Sequence, residues 1–143
     1  MADVRFSGTW RLVSFESRAE DGTVSYPFGP DARGYIIYGA DGYMAVVLQP
    51  AERRQFAKND YQGGTLEERA AAGEHFISYA GRFEVVPGDT VVHHVEVSFF
   101  PNWIGTAQQR LFHFQGNQLM LSTRPMQVAG RIVTSQLIWE RVG

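Results

Sequence analysis

The chain has 143 residues, 44% hydrophobic and 20% charged, which excludes intrinsic disorder and fits one domain over residues 1–143 with a substantial core. Thirteen Lys plus Arg against fifteen Asp plus Glu give a formal charge of −2, so the balance points to no nucleic-acid or basic partner. Cysteine is absent, which removes disulfides, thiol nucleophiles and Cys-based metal sites; with no transmembrane-length apolar window and no leader before the first strand, a cytoplasmic location and no membrane partner are expected.

Most segments alternate with period two and are rich in Val, Ile, Phe, Tyr and Thr, the signature of half-buried strands. The first covers 9–18 and ends at Glu20-Asp21-Gly22. A short extended piece, 23–26, leads into Pro27-Phe28-Gly29-Pro30-Asp31, whose prolines forbid central-strand pairing. Segments 35–38 and 43–48 flank Gly39-Ala40-Asp41-Gly42, a hairpin signal. After Pro50 the period changes. Segments 51–56 and 66–75 carry good helix formers, separated by Gly63-Gly64, and Thr65 with Glu68 fits a capping box. The strand pattern resumes over 77–86, 90–100, 106–115, 118–123 and 132–141. The expected fold is all-β: a closed antiparallel up-and-down barrel of 8–10 strands, with a short helical insert between strands 4 and 5.

Strand parity assigns faces to side chains. In the last strand Val133, Ser135, Leu137, Trp139 and Arg141 share the more apolar face, taken as inward. That brings Arg141 towards Trp10 of Gly8-Thr9-Trp10, where a guanidinium can lie across the indole and close the barrel floor. The same parity places Trp10, Leu12, Ser14 and Glu16 inside, leaving an outer face with Val13 and Phe15 for the insert to cover in part. Val91, His93, Val95, Val97 and Phe99 form the apolar face of another strand, next to Arg110, Phe112 and Phe114. Tyr79 and Phe83 would line the same wall, and Trp103 in Pro101-Asn102-Trp103 sits on a loop at one end as a rim contact or a cap. The expected ligand-binding set is therefore Tyr79, Phe83, His93, Val95, Trp103, Arg110 and Phe112: an apolar pocket with a few fixed polar groups.

Several stretches carry a resemblance. Gly8-Thr9-Trp10 with Arg141 resembles the lipocalin and calycin barrels. Pro27-Phe28-Gly29-Pro30-Asp31, Gly34-Tyr35-Ile36-Ile37-Tyr38 and Asp41-Gly42-Tyr43-Met44 resemble the bacterial and fungal lipocalin-like domain proteins. So do Tyr79-Ala80-Gly81-Arg82-Phe83, the run from His93 to Ser98 with Pro101-Asn102-Trp103, and Trp139-Glu140-Arg141, so that nearly the whole chain is covered. The resemblance implies a barrel around a hydrophobic cavity. Barrels of this broad kind include carriers of small lipophiles and cyclases or isomerases of natural-product pathways. Secreted lipocalins differ in having signal peptides and cysteines.

His93-His94 does not chelate one ion, because adjacent strand residues point to opposite faces; no metal and no cofactor are expected. His93 has two readings: a general acid or base in an apolar lumen, or a core histidine bonded to a tyrosine or a backbone carbonyl. Arg110 either anchors a ligand carboxylate or enolate or pairs with Glu96 or Glu16, since a buried guanidinium needs a partner. Segment 53–73 is either a mobile lid hinged at Gly63-Gly64 or a static cover of the outer wall. Three functions follow. The first is binding of a small, mostly hydrophobic molecule in the lumen. The second is a cofactor-free cyclase, isomerase or dehydratase on a polyketide- or terpenoid-like substrate, with His93 moving a proton and Tyr79 or Arg110 polarising a carbonyl. The third is an interaction domain with a filled lumen; an edge or the helix-covered wall could also support a homodimer.

Overall fold

The computed structural model describes residues 3–143. Its strands are β1 (Gly8–Ala19), β2 (Val24–Ser25), β3 (Arg33–Tyr38), β4 (Tyr43–Gln49), β5 (Ile77–Val86), β6 (Thr90–Ser98), β7 (Ala107–Gln115), β8 (Gln118–Thr123), β9 (Met126–Val128) and β10 (Arg131–Arg141). Eight of them, all but β2 and β9, close into an antiparallel barrel through the β1–β10 pairing. The short β2 and β9 extend the rim beside β1 and β10. One helix, α1 (Leu66–Glu74), lies between β4 and β5, and a 3-10 turn covers Pro101–Trp103. The expected capping box is present: the Thr65 hydroxyl accepts from Glu68 N at 3.1 Å, and the Glu68 carboxylate accepts from Thr65 N at 2.9 Å. Residues 51–56, expected to be helical, are irregular: the helix forms only where the Thr65 cap starts it.

The floor is built as the sequence indicates. Trp10 pairs with Arg141 across the closing strands, and the guanidinium stands 4.2 Å from the indole centroid. Its two terminal nitrogens donate to the Ser7 and Arg5 carbonyls, each at 2.8 Å, so the last strand ties down the N-terminal segment. Gly8 has φ +125°, and a Cβ there would sit 3.0 Å from the Arg141 guanidinium, which explains the glycine. Phe6, fully buried, enters from below and packs edge-on against Tyr38, Phe112 and Phe114. The Trp10 indole N–H donates to the Phe6 carbonyl at 2.9 Å.

Two β-bulges overturn parts of the parity reading. In β1, Val13 is an extra residue between the pairs Leu12–Trp139 and Ser14–Ile138. Trp10 and Leu12 are buried as expected, but beyond the bulge Phe15 and Ser17 turn inward in place of Ser14 and Glu16. In β6, Glu96 is extra between Val95–Gly81 and Val97–Ala80. Val91, His93 and Val95 face the core, whereas Val97 and Phe99 point outward and are more than half exposed. The insert covers little of the outer wall: Gly73 of α1 packs against the outward Phe99 ring. No residue of α1 is buried, and Val13, Tyr35, Ile37 and Val47 remain partly open to solvent. The helix lies instead at the open end of the barrel, where Glu74 and Phe76 border the lumen.

Candidate functional site

A cavity of about 270 Å³ occupies the barrel above the aromatic floor. Its walls are mainly apolar, with Phe15, Ile36, Val46, Leu48, Leu121 and Trp139 contributed by five different strands. Phe28, Glu74, Trp103, Met126 and Val128 also line it. Polar groups are few: Tyr79, His93 and Arg110 on β5, β6 and β7, and Thr123, Ser135 and Ser17 on β8, β10 and β1, with Thr123 the cross-strand partner of Arg110. The last three largely satisfy one another, since Ser17 and Ser135 hydroxyls bond at 2.9 Å and Thr123 Oγ1 accepts from Ser135 N at 2.9 Å.

His93 is buried between two tyrosines. Its Nε2 is 2.7 Å from the Tyr38 hydroxyl and its Nδ1 is 2.7 Å from the Tyr79 hydroxyl. Burial pushes the imidazole pKa down to about 3, and the positive charge of Arg110 acts in the same direction, followed by His94. Burial also raises both phenols; Tyr79 in turn raises Tyr38, while Arg110 works against the shift in each. At neutral pH all three side chains are uncharged. A neutral imidazole supplies one donor and one acceptor, so one tyrosine donates to the ring and the other accepts from it. Tyr38 lies outside the cavity lining and its hydroxyl bonds only to His93 among the described residues, so its hydrogen goes to Nε2. The ring hydrogen then sits on Nδ1 and is donated to Tyr79. The Tyr79 O–H is left to point at the lumen.

Arg110 is half-buried on β7 and borders the same space. Its guanidinium donates to its own neighbours, the Gln109 carbonyl at 2.9 Å and Gln108 Oε1 at 3.3 Å. Neither carboxylate expected as its partner is there. Glu96 is the exposed bulge residue, and Glu16 stands 3.9 Å from Arg18. Among the described residues no carboxylate forms an ion pair with Arg110.

Of the sequence-derived set, the structure brings Tyr79, His93, Trp103 and Arg110 together around the cavity. Phe83 and Phe112 pack on Phe6 in the floor, Val95 is buried in the core, and none of the three lines the space. His94 points outward to Glu84 at 2.7 Å, on the opposite face from His93, as adjacent strand positions must. Among the described residues, no cluster of three His, Cys, Asp or Glu side chains forms a metal site. Tyr38 escaped notice in the sequence, although the alternation Gly34, Ile36, Tyr38 already put it on the inner face. Phe15 and Ser17 were hidden by the bulge, and Phe28 by its place in a proline-flanked loop.

Residues 7–142 match the lipocalin-like domain. The chain belongs to the lipocalin-like domain family. The 4'-hydroxy-3'-methoxypropiophenone carrier protein of Aspergillus oryzae is 39% identical to this chain over 106 residues, spanning 68% of it and 95% of the relative. Membership agrees with the closed eight-stranded barrel. Among the described residues no helix is long and apolar enough to cross a membrane.

Proposed function

We propose that this lipocalin-like barrel binds a small, mostly apolar molecule in its lumen, of the size of a single-ring aryl ketone. The observation that carries the reading is the cavity itself: about 270 Å³, apolar-walled, with Tyr79, His93 and Arg110 converging on it. That volume lies near the lower end of small-molecule sites, roughly 300 Å³ and upward. A relative named as the carrier of a methoxylated hydroxypropiophenone supports the same ligand class. A filled lumen, the requirement of a purely structural domain, does not accord with this space.

The enzymatic alternative draws less support from the geometry. A general base works best with a pKa near the operating pH, and His93, near 3 with both nitrogens engaged by tyrosines, is a weak one. His93 fits the core-histidine reading, and its use is to orient Tyr79.

The test is titration with 4'-hydroxy-3'-methoxypropiophenone and a panel of small aryl ketones and lipophiles, followed by tryptophan fluorescence and native mass spectrometry. Saturable one-to-one binding is expected, lost in Leu137→Trp, which fills the cavity. Absence of binding across the panel by both methods would overturn the proposal. Turnover of any panel compound that disappears in His93→Ala would instead favour the enzyme.

A further inference from the structure

Apart from the Ser17, Thr123 and Ser135 hydroxyls, which bond largely among themselves, the polar groups around the lumen are unbalanced: they can donate hydrogen bonds far better than they can accept them. Tyr79 presents an O–H because the Tyr38–His93 chain fills its acceptor side. Arg110 carries a full positive charge and donors its two neighbours do not exhaust. Trp139, which lines the cavity, has a buried indole N–H with no partner. His93 is neutral, and both its nitrogens are occupied. Among the described residues the one anionic side chain facing the space is Glu74, at the C-terminal end of α1, mostly exposed and 3.9 Å from His75. Among the described residues no other ionisable side chain lines the cavity from any strand packed around it. A half-buried guanidinium without a carboxylate, beside an obligate hydroxyl donor in an apolar barrel, is a receptor for negative charge.

We propose that the cavity takes its ligand as an oxyanion, held between the Tyr79 hydroxyl and the Arg110 guanidinium, and so selects small lipophilic acids over their neutral isosteres. The inference rests on the lumen being the ligand site. Phenolates, enolates and carboxylates share the chemistry; a phenol conjugated to a carbonyl suits it especially, because ionisation spreads charge to the second oxygen.

Three probes of one shape separate the possibilities: para-hydroxypropiophenone, its methyl ether and para-propylbenzoate. Ionisation of the phenol moves its near-ultraviolet absorption to the red, so a pH titration of the bound probe reads its protonation directly. The bound phenol is expected to ionise at least one pH unit below the free compound, a tenfold preference for the anion. The methyl ether should bind at least tenfold more weakly than the phenolate. Arg110→Gln should return the bound phenol to its free value and weaken the benzoate at least tenfold. A benzoate that binds alongside an unshifted phenol would assign the site to carboxylates. An unshifted phenol, an ether that binds equally and a benzoate indifferent to Arg110→Gln would together overturn the proposal, and the wild-type titration alone stands if the variant folds poorly. Propylbenzene distinguishes the two readings: if it binds while every acidic probe fails, only the oxyanion assignment falls. If nothing binds, the lumen reading falls too.

Discussion

His93 illustrates how one side chain can be decided by its neighbours. In sequence it reads either as a general acid or base or as a core histidine, and its partners in space are two phenols. The direction of the chain makes a spectroscopic prediction: nitrogen-15 shifts should report a neutral ring protonated at Nδ1 throughout pH 5–8. A ring titrating in that range, or one protonated at Nε2, would contradict the assignment. The same residue makes a prediction about stability. The folded pKa lies near 3 against 6.5 unfolded, so below pH 6.5 the unfolded chain takes a proton that the folded chain refuses. Stability from this group is fully present above pH 6.5 and falls by about 1.4 kcal/mol per pH unit until the folded pKa is reached. His93→Gln, able to donate and accept but not to titrate, should cost about 1–3 kcal/mol at pH 7. Between pH 7 and 4.5 it should then lose about 2–3 kcal/mol less than the parent, since all other titrations are common to both. Urea midpoints at the two pH values check this, and parallel losses would rule it out.

At the scale of single strands, the alternation of side chains was legible up to each bulge and misleading beyond it. In β7 and β10 no bulge intervenes on the core side, and Arg110, Phe112, Ser135 and Trp139 fall where period two puts them. In β1 and β6 one extra residue reverses the face of everything after it, and neither Val13 nor Glu96 carries a sequence mark. Gly81 opposite the β6 bulge is the nearest thing to a signal. A Cβ there would lie 1.9 Å from the His94 carbonyl oxygen, so the strands approach more closely than any other residue allows. Backbone, not a flexible side chain, would have to move. Gly81→Ala should therefore destabilise by on the order of 3 kcal/mol, lowering the melting temperature by about 2–4 °C for each kcal/mol. Because Gly81 pairs with Val95 on the strand segment that carries His93, the variant should also weaken lumen ligands. A change under about 1 kcal/mol, small beside the cost of overpacking, would show that the sheet opens there without strain.

For the molecule as a whole, the barrel separates a sealed end from a binding end, and the sequence disclosed the first better than the second. A large indole, a glycine with room for a guanidinium and a terminal arginine are conspicuous residues with one simple use. Cavity volume is not written in any residue; it is what remains after Phe6 rises from below and after Phe112 and Phe114 lean onto it instead of into the lumen. The two ends should accordingly respond to mutation independently. Arg141→Met keeps apolar bulk over Trp10 but loses the cation–π contact and both bonds to the Arg5 and Ser7 carbonyls. Charge-assisted hydrogen bonds and a cation over an indole together put the loss at about 2–4 kcal/mol. Neither Trp10 nor Arg141 lines the cavity, so affinity for a lumen ligand should stay within about twofold, well inside the tenfold that 1.4 kcal/mol represents. Arg110→Gln should show the reverse, with weakened binding and a nearly unchanged midpoint, because its present partners are two glutamine groups on its own strand. Denaturation midpoints and ligand titrations on the two variants test the separation. Loss of binding in Arg141→Met at full stability would mean that the floor and the site are one unit, and that closing the barrel shapes the ligand as much as the strands that carry Tyr79 and Arg110.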